Sequence, residues 1–533
     1  MQKHLLLGAE AVGQGAIDGG LSGVYAYPGT PSTEITEYIQ GNPLAIERHI
    51  HRKWSANEKT AYEAALGMSY AGKRSLVCMK HVGLNVAADA FMNSAVTGVH
   101  GGLILAVADD PSMHSSQNEQ DSRYYAGFAM IPILEPSNQQ EAYDMAYEGF
   151  ELSERTGLPV MLRITTRLAH SRSGIVRREV KAQKELKLPN DLMQFVLLPA
   201  IARRRYNELL GKQTMLKELS DQSVYNQYIE GKDNHKGIVC CGIAVNYLNE
   251  CYRDTVCPHP VIRVSQYPLP EKLLKRMNDE CDEILVMEEG FPLVEEKLKG
   301  FFSNRIPVRG RLDGTLPRCG ELNPDHVAKS LGKELKPGMT VPDIVANRPP
   351  AMCQGCGHID AYQAMNEAMA KYGKGHVFSD IGCYTLGALP PYEAINSCVD
   401  MGASITMAKG ASDAGLSPSV AVIGDSTFAH SGITALLDAV NEHAPVTVVI
   451  SDNESVSMTG GQDSSAEGKI EDICRGLGVD PAHIRVIVPL KKNHEEMVRI
   501  FREELEYQDV SVIIPRRECL QRATRRKRNL SRE

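Results

Sequence analysis

Ala421-Val-Ile-Gly-Asp425-Ser-Thr427 and Val448-Val-Ile-Ser-Asp-Asn453-Glu-Ser455 are the two stretches that decide the fold class. Each is an apolar run that ends in polar residues, and the segment between them, 431–443, has a helical pattern. A strand, a helix and a second strand in this order form a βαβ unit, whose parallel strands end at the same edge of a sheet. The two stretches therefore predict an α/β fold with a ligand site at that edge.

The polar residues at this edge suit a metal ion beside a phosphate. Asp425 and Asn453 offer hard oxygen atoms of the kind that Mg²⁺ prefers, and Gly424 would let a diphosphate approach the backbone. The N-terminal part of the chain also alternates helical patterns with short apolar strands, such as Leu103-Ile-Leu-Ala-Val-Ala108. We therefore predict an α/β protein with several doubly wound parallel-sheet domains.

Composition excludes two classes of protein. The chain has 533 residues, 43% of them apolar, with a net charge of −8 and an isoelectric point near 6.1. This acidic balance argues against nucleic-acid binding, and no apolar run approaches the roughly 18 residues that span a bilayer. The apolar run in Met1–Glu10 is too short for a secretion signal, so we expect a cytoplasmic protein with no membrane association. Its thirteen cysteines are then expected to be thiols or metal ligands.

Shifts in composition divide the chain into six predicted segments. A charged helical stretch separates two α/β blocks, and a proline-rich hinge precedes a third. The C-terminal end is basic without apolar periodicity, so we predict no regular structure there. The segments are an α/β domain at 1–175, a helical connector at 176–235, an α/β domain at 236–335, the hinge at 336–350, an α/β domain at 351–520 and the basic tail at 521–533.

The Gly-Asp and Asn motifs resemble those of thiamine diphosphate enzymes, and four N-terminal stretches carry a closer likeness. They are Tyr27-Pro-Gly-Thr-Pro-Ser32, Trp54-Ser-Ala-Asn-Glu58-Lys59, Lys80-His-Val-Gly-Leu-Asn-Val-Ala87 and the segment Asp109–Arg123. They resemble the 2-oxoacid:ferredoxin oxidoreductases, especially the large subunits of the indolepyruvate type. The resemblance implies that 1–175 is a pyrimidine-binding domain, 236–335 a transketolase C-terminal-like domain and 351–520 a diphosphate-binding domain.

The resemblance also implies a set of cofactor-binding residues. In that family, the motif Asp, the Asn and the main-chain carbonyl two residues after the Asn hold Mg²⁺. Glu58 taken alone is typical of a first-turn residue that interacts with the helix dipole. The resemblance instead makes it the carboxylate that contacts the pyrimidine ring and activates thiamine diphosphate. The implied Mg²⁺ ligands are Asp425, Asn453 and Ser455, and the implied cofactor-binding residues are Glu58, Gly382, Gly424, Asp425, Ser426, Asn453 and Ser455.

Four cysteines match a cluster-binding pattern. The stretch Cys353-Gln-Gly-Cys356 alone could be a redox dithiol, half of a zinc site or half of an iron–sulfur site. The family places a third ligand in an Asp-Ile-Gly-Cys motif, here ending at Cys383, and a fourth after a late strand, here Cys519. The resemblance therefore implies a [4Fe-4S] cluster, with zinc as the main alternative. Gln354 and Gly357 stand where the family usually has Pro, but neither supplies a ligand.

Substrate contacts follow from the same resemblance. Thr30 and Arg123 match the threonine and arginine that hold the 2-oxoacid carboxylate in the pyruvate enzymes, although Arg123 needs a one-residue gap and could equally form a surface salt bridge. Met458 stands where those enzymes have Asn. A flexible apolar side chain suits a bulkier, aromatic 2-oxoacid.

The implied activity is ferredoxin-dependent oxidative decarboxylation of an aryl 2-oxoacid, such as indolepyruvate, to an arylacetyl-CoA and CO₂. The family works with a smaller beta subunit, commonly as a heterotetramer, and passes electrons to ferredoxin. Its large subunits usually continue into a domain with two further cluster motifs, whereas this sequence ends soon after Cys519. Electrons would then pass from the one cluster to an external carrier or to another subunit.

Several alternatives stay open at this point. The basic tail is either simply solvated or steers an acidic ferredoxin towards the cluster. A non-oxidative thiamine-dependent decarboxylase would release an aldehyde and need no ferredoxin. A non-catalytic iron–sulfur subunit could share the fold, but it would need neither Glu58 nor the metal ligands Asp425 and Asn453.

Overall fold

The structure is a computed structural model that describes residues 3–191, 193–301, 306–318, 320–335, 338, 340–346, 351–398 and 400–530. The chain divides into two compact units, Met1–Met339 and Thr340–Glu533. Much of the predicted hinge at 336–350 and the last three residues of the predicted tail lie outside the described residues. Within the described ranges, no helix has both the length and the apolar character needed to cross a bilayer.

The first unit combines three sheets with helices on their faces. Its strands are β1 (Lys3–Leu7), β2 (Gly23–Ala26), β3 (His51–Trp54), β4 (Ser75–Lys80), β5 (Leu103–Asp109), β6 (Ile133–Leu134), β7 (Val160–Thr165), β8 (Arg172–Val176), β9 (Gln227–Ile229), β10 (Lys236–Cys241), β11 (Val261–Val264), β12 (Gln266–Tyr267), β13 (Glu283–Met287) and β14 (Val308–Arg309). Its helices are α1 (Gly8–Asp18), α2 (Thr33–Gly41), α3 (Pro43–Glu47), α4 (Glu58–Tyr70), α5 (His81–Thr97), α6 (Ser122–Ala129), α7 (Gln139–Thr156), α8 (Thr166–His170), α9 (Pro199–Asp221), α10 (Ala244–Cys251), α11 (Glu271–Glu280), α12 (Leu293–Phe301) and α13 (Pro324–Ser330).

Parallel pairing dominates the two larger sheets of this unit. The seven-stranded sheet has the order β12-β6-β7-β5-β4-β2-β3, and only β12 is antiparallel to its neighbour. The five-stranded sheet has the order β14-β13-β10-β11-β9, with only β9 antiparallel. Strands β4 and β5 are buried at every residue, which is typical of central strands covered by helices on both faces. The third sheet is the antiparallel pair β1–β8.

A network of buried charges links the two larger sheets. Arg163 of β7 binds Asp109 at 2.6 Å and also contacts Glu135. Arg123 of α6 binds Asp121 at 2.6 Å and Glu288, which follows β13, at 3.0 Å. Buried charges are tolerated only when they are paired, so this network fixes the position of one sheet against the other. The α/β blocks predicted at 1–175 and 236–335 thus form one compact unit.

The second unit contains one five-stranded parallel sheet and a small hairpin. The sheet has the order β15-β16-β17-β21-β20, and the hairpin is β18–β19. The strands are β15 (Val377–Ser379), β16 (Ser419–Gly424), β17 (Val446–Ser451), β18 (Ser455–Val456), β19 (Gln462–Asp463), β20 (Ile484–Ile487) and β21 (Ser511–Pro515). The helices are α14 (Gly357–Met369), α15 (Ala403–Asp413), α16 (Asp425–Thr427), α17 (Ile433–Asn441), α18 (Ile470–Gly476), α19 (His494–Leu505) and α20 (Leu520–Leu530), with short 3₁₀ turns at Cys383–Ala388, Ser457–Thr459, Pro481–His483 and Lys491–Asn493.

The predicted α/β class is confirmed, and the βαβ unit that suggested it is present. Strands β16 and β17 pair in parallel, with Gly424 opposite Ser451. The helix between them begins earlier than the pattern at 431–443 predicts. Helical backbone starts at Asp425 and runs through a π-helical turn at Phe428–Gly432 into α17. Asp425 therefore lies in the first turn of a helix and directly at the carboxyl end of a strand.

The C-terminal end differs from the prediction. The sequence predicts no regular structure for 521–533, whereas α20 covers Leu520–Leu530. Arg522 forms ion pairs with Asp463 and Glu467 at 3.2 Å, and Arg525 donates to the carbonyl of Gly460 at 2.8 Å. Charge pairing with the β18–β19 hairpin replaces the apolar periodicity that this helix lacks.

Candidate active site

Asp425 is the most unusual side chain at the sheet edge of the second unit. It is 1% exposed, and its Oδ2 has no hydrogen-bond partner among the described residues. Burial raises the pKa of this carboxyl to about 7, although a hydrogen bond from Ser464 and backbone hydrogen bonds from Ser426 and Asn453 act in the opposite direction. A buried carboxylate oxygen without a donor is costly unless a cation pairs with it. Asp425 therefore fits the predicted Mg²⁺ ligand on local chemistry.

Asn453 lies beside Asp425 at the end of the neighbouring strand. Its Oδ1 accepts hydrogen bonds from the Ser455 amide at 3.2 Å and the Ser457 hydroxyl at 3.1 Å. Ser455 is 3% exposed, whereas Met458, two residues into the hairpin loop, is 51% exposed. The structure thus brings the first turn at Asp425 and the segment of Asn453 and Ser455 to the same edge of the sheet, as the sequence predicts, with Met458 at the surface.

Two glycines of the predicted cofactor set pack against one tyrosine ring. A Cβ on Gly424 would lie 2.6 Å from Cε1 of Tyr384, and one on Gly382 would also overlap that ring. The Tyr384 hydroxyl is hydrogen-bonded to the carboxylate of Asp380, whose pKa is raised to about 6 by burial. The ring thus fills the space beside Gly424 in which the sequence predicts a diphosphate. In this structure Gly424 is required by the packing of an aromatic ring.

The four cysteines of the predicted cluster site surround one cavity of the second unit. Its lining includes Cys353, Cys356, Cys383 and Cys519 together with Asn453. The Cys519 amide donates to the Asn453 carbonyl at 3.1 Å, which ties the last cysteine to the predicted metal loop. Burial raises the pKa of the Cys383 thiol to about 12, and the other three thiols add to that rise.

A shared cavity with four thiols fits a cluster on the chemistry of the donors. The thiols nevertheless do not form a closed coordination shell, because within the described part of the chain no three His, Cys, Asp or Glu side chains are grouped to hold one metal ion. Thiolates repel one another in a low-dielectric cavity, and the irons of a cluster would offset that repulsion.

Glu58 opens helix α4 in the first unit, as the sequence predicts. It is 4% exposed and follows Asn57, whose side chain caps the helix by accepting from the Thr60 amide at 2.8 Å. Its carboxylate packs on α5, where a Cβ on Gly83 would lie 2.6 Å from Oε1. Gly83 is therefore a steric requirement for the position of this carboxylate.

Arg123, which the sequence predicts to hold a substrate carboxylate, lies inside the charge network of the first unit. Its side chain is 0% exposed, and its guanidinium donates to Asp121, to the Tyr267 hydroxyl at 3.3 Å and to the carbonyls of Glu289 and Phe291. The guanidinium is thus buried and paired inside the first unit, where it links the two sheets. The alternative of a surface salt bridge is wrong, because the ion pair is buried.

Two further buried residues adjoin the predicted site and were missed from the sequence. Lys80 is 9% exposed at the end of β4, and His358 is 7% exposed in the first turn of α14. The His358 ring lies with Nε2 3.4 Å from Nδ2 of Asn453, and burial lowers its pKa to about 4. The sequence feature that could have identified Lys80 is its position as a single lysine directly after the apolar run Ser75–Met79. No comparable sequence feature marks His358.

The chain is similar to known proteins in both sequence and fold. Residues 14–199 match a family model described as pyruvate flavodoxin/ferredoxin oxidoreductase, thiamine diphosphate-binding. Residues 380–514 match the C-terminal thiamine pyrophosphate-binding domain of thiamine pyrophosphate enzymes. The solved 2-oxoglutarate:ferredoxin oxidoreductase from Magnetococcus marinus shares the fold, with a TM-score of 0.52 and 17% identity over 62% of this chain and 65% of that one.

The α/β fold and the two matching family models define the class of thiamine diphosphate-binding oxidoreductases. The indolepyruvate oxidoreductase subunit IorA of Archaeoglobus fulgidus is 38% identical over 97% of this chain and 86% of its own length. The corresponding subunit of Methanothermobacter thermautotrophicus is 38% identical over 97% of this chain and 87% of its own. The chain belongs to the IorA family of indolepyruvate oxidoreductase subunits, and it is a subunit of an oxidoreductase enzyme.

Proposed function

We propose that this chain, together with a smaller beta subunit, catalyses the oxidative decarboxylation of an aryl 2-oxoacid. The products are CO₂ and an arylacetyl-CoA, and two electrons pass one at a time to ferredoxin. The observation that carries this proposal is the grouping of four cysteines and Asn453 around one cavity, in a chain 38% identical to indolepyruvate oxidoreductase subunits. A simple decarboxylase would have no use for such a set of thiols.

Each step of the cofactor chemistry is assigned to named residues. Bound thiamine diphosphate would supply the carbanion and the electron sink that decarboxylation requires. Glu58 would hold a proton at a pyrimidine nitrogen of the cofactor. Asp425, Asn453 and the Ser455 carbonyl would hold Mg²⁺. Main-chain groups of Gly382, Gly424 and Ser426 would contact the diphosphate, for which the Tyr384 ring must yield space beside Gly424.

The thiol set and the substrate contacts complete the proposal. Cys353, Cys356, Cys383 and Cys519 would hold a [4Fe-4S] cluster that accepts electrons singly. Thr30 would contact the carboxylate of the 2-oxoacid, and Met458 would contact its aryl group. The exposed thioether of Met458 can adapt to a large aromatic ring. The enzyme would act as a heterotetramer with ferredoxin and coenzyme A as its other partners, in the cytoplasm.

Anaerobic purification of the chain with its beta subunit tests the proposal. We expect about four iron atoms and four sulfides per chain, and little zinc. Indolepyruvate plus coenzyme A should then produce the EPR signal of a reduced cluster. Replacing Glu58 with Gln should leave iron content unchanged and abolish that signal, because the variant cannot activate the cofactor.

A pair of matched cysteine variants assigns the cluster to its ligands. Cys383→Ser should lose iron, whereas Cys257→Ser, a partly buried thiol of the first unit, should keep it. Zinc or no metal in the purified chain, with an aldehyde released from indolepyruvate, would instead identify a non-oxidative decarboxylase. A cluster that is never reduced by any aryl 2-oxoacid would identify a non-catalytic iron–sulfur subunit.

A further inference from the structure

Lys80 is a buried cation beside the turn that carries Thr30. Its aliphatic stem packs against Gly29, where an added Cβ would lie 3.3 Å from Cδ of the lysine. Its ammonium donates to the carbonyl of Ser115 at 2.9 Å. The hydroxyl of Ser115 in turn donates to the carbonyl of Thr30 at 3.1 Å. The ammonium, Ser115 and the Gly29–Thr30 turn thus form one cluster inside the first unit.

The ammonium has no partner of opposite charge in direct contact. Among the described residues, no carboxylate forms an ion pair with Nζ. The nearby carboxylate of Asp110 is occupied by neutral donors, namely the Ser115 amide at 2.8 Å and the hydroxyls of Ser116 and Thr166, each at 2.7 Å. Burial therefore dominates, and it lowers the pKa of Lys80 to about 8 although Asp110 and Glu58 act in the opposite direction.

A buried cation without an ion-pair partner favours an anionic ligand. Folding has already removed the ammonium from water, so ligand binding adds little to its desolvation free energy. An incoming carboxylate therefore gains a charge-assisted hydrogen bond at little further cost in desolvation of the lysine. The guanidinium of Arg123 is less suited to this role, because it is 0% exposed and already paired with Asp121 and Glu288. Lys80 is a charged donor that lies beside the turn carrying Thr30.

We propose that Lys80 is the substrate-binding residue that holds the carboxylate of the 2-oxoacid, in place of Arg123. This inference rests on the proposed function, since it needs a 2-oxoacid substrate. Thr30 would contact the same carboxylate from the turn on which the lysine stem packs. A lysine acts as a point charge and does not require the bidentate geometry of arginine.

Direct binding to the complex of this chain and its beta subunit tests the proposal without turnover. The complex is loaded with 3-deazathiamine diphosphate, an unreactive cofactor analogue, and titrated calorimetrically with phenylpyruvate and with phenylacetaldehyde. The two probes share the aryl group and differ in the carboxylate. We expect Lys80→Met to weaken phenylpyruvate binding about 10- to 100-fold, the range for one charge-assisted contact, and to leave phenylacetaldehyde binding within about twofold.

Two further variants separate a binding role from a structural one. Lys80→Arg keeps the charge and should retain most of the affinity for phenylpyruvate. Lys217→Met removes an exposed lysine that pairs with Glu271 at 2.6 Å, and it should change neither affinity. Lys80→Gln, which can still donate to the Ser115 carbonyl, replaces Lys80→Met if the latter does not fold.

The outcomes distinguish this proposal from the proposed function. Equal phenylpyruvate affinity in Lys80→Met and in the unmodified chain overturns the role of Lys80, whether or not the enzyme oxidises the acid. Equal losses of phenylpyruvate and phenylacetaldehyde also overturn it, because they indicate a structural role for the lysine. Selective loss of phenylpyruvate binding in a complex that never reduces its cluster supports Lys80 and refutes the proposed activity.

Discussion

At the scale of single residues, Asp425 is predicted to couple folding to metal binding. Its unpartnered Oδ2 destabilises the protein when no cation is present, so Asp425→Asn should be at least as stable as the unmodified chain without Mg²⁺. At a fixed concentration of thiamine diphosphate, adding Mg²⁺ at about 100 times its dissociation constant should stabilise the unmodified chain by about 2.7 kcal/mol, and the variant by much less. Thermal unfolding with and without EDTA measures both effects.

The matched control for that measurement is Asp438→Asn, which changes a carboxylate of α17, the helix that lies between Asp425 and Asn453 in the chain. It should keep the full Mg²⁺-dependent stabilisation. A ligand-dependent shift that is the same in Asp425→Asn and in the control would show that Asp425 is not a metal ligand.

Lys80 gives the substrate affinity a defined pH dependence. The pKa of its ammonium is about 8, so the group is charged below that pH and loses its proton above it. The charged groups that act on it are Asp110, after β5, and Glu58, on α4, and His81 is its neighbour in α5. KM for phenylpyruvate should therefore be constant below about pH 8 and rise about tenfold per pH unit above it.

The arginine variant and the neutral probe check this assignment. Lys80→Arg should lose the inflection, because a guanidinium stays charged throughout this range. The calorimetric affinity for phenylacetaldehyde should not change across the same range. An inflection that persists in Lys80→Arg would mean that another group titrates.

At the scale of elements, the C-terminal helix α20 stabilises the hairpin that follows Asn453. Arg522 is 19% exposed and binds carboxylates on both sides of the hairpin loop, at Glu454, Asp463 and Glu467. Removing it with Arg522→Ala should leave the β-sheet intact and increase hydrogen exchange of segment 455–463. Exchange measured by mass spectrometry tests this.

The control for the hairpin is Arg499→Ala, an exposed arginine that pairs with Glu503 within α19. Its exchange pattern at 455–463 should match the unmodified chain. Unchanged exchange in Arg522→Ala would mean that the hairpin is held by its own hydrogen bonds, such as that between the Gly461 amide and the Val456 carbonyl at 3.0 Å.

Helices were predicted less accurately than strands, for a physical reason. The strands β16 and β17 are continuous apolar runs, and apolar runs are visible in one sequence. The helix that begins at Asp425 starts with polar and small residues, so its first turn has no apolar periodicity. Helix α20 is held by ion pairs across the fold, which no local pattern contains.

At the scale of the whole molecule, the buried charge network determines how the first unit unfolds. Arg123→Met would leave Asp121 and Glu288 as buried carboxylates without this partner. We expect a loss of about 3–5 kcal/mol in the free energy of unfolding of that unit, the usual effect of breaking a buried pair. Arg276→Met, which removes an exposed arginine, should have no measurable effect.

Denaturant unfolding followed by circular dichroism measures this difference. Where Arg123→Met remains folded at low temperature, its affinity for phenylpyruvate should be close to that of the unmodified chain. A folded variant with normal stability and a selective loss of phenylpyruvate binding would restore Arg123 as the carboxylate ligand and contradict the assignment of Lys80.

The sequence by itself determined the α/β class, the βαβ unit with Asp425 and Asn453 at its strand ends, the position of Glu58 at a helix start and the motifs of the family. These features depend on local periodicity and on residue types at fixed spacing. Only the tertiary structure decided that Arg123 is withdrawn into a charge network, that Lys80 is the buried cation beside Thr30 and that Tyr384 packs on Gly424. Burial and pairing depend on residues that are distant in the sequence. The sequence alone therefore does not reveal them.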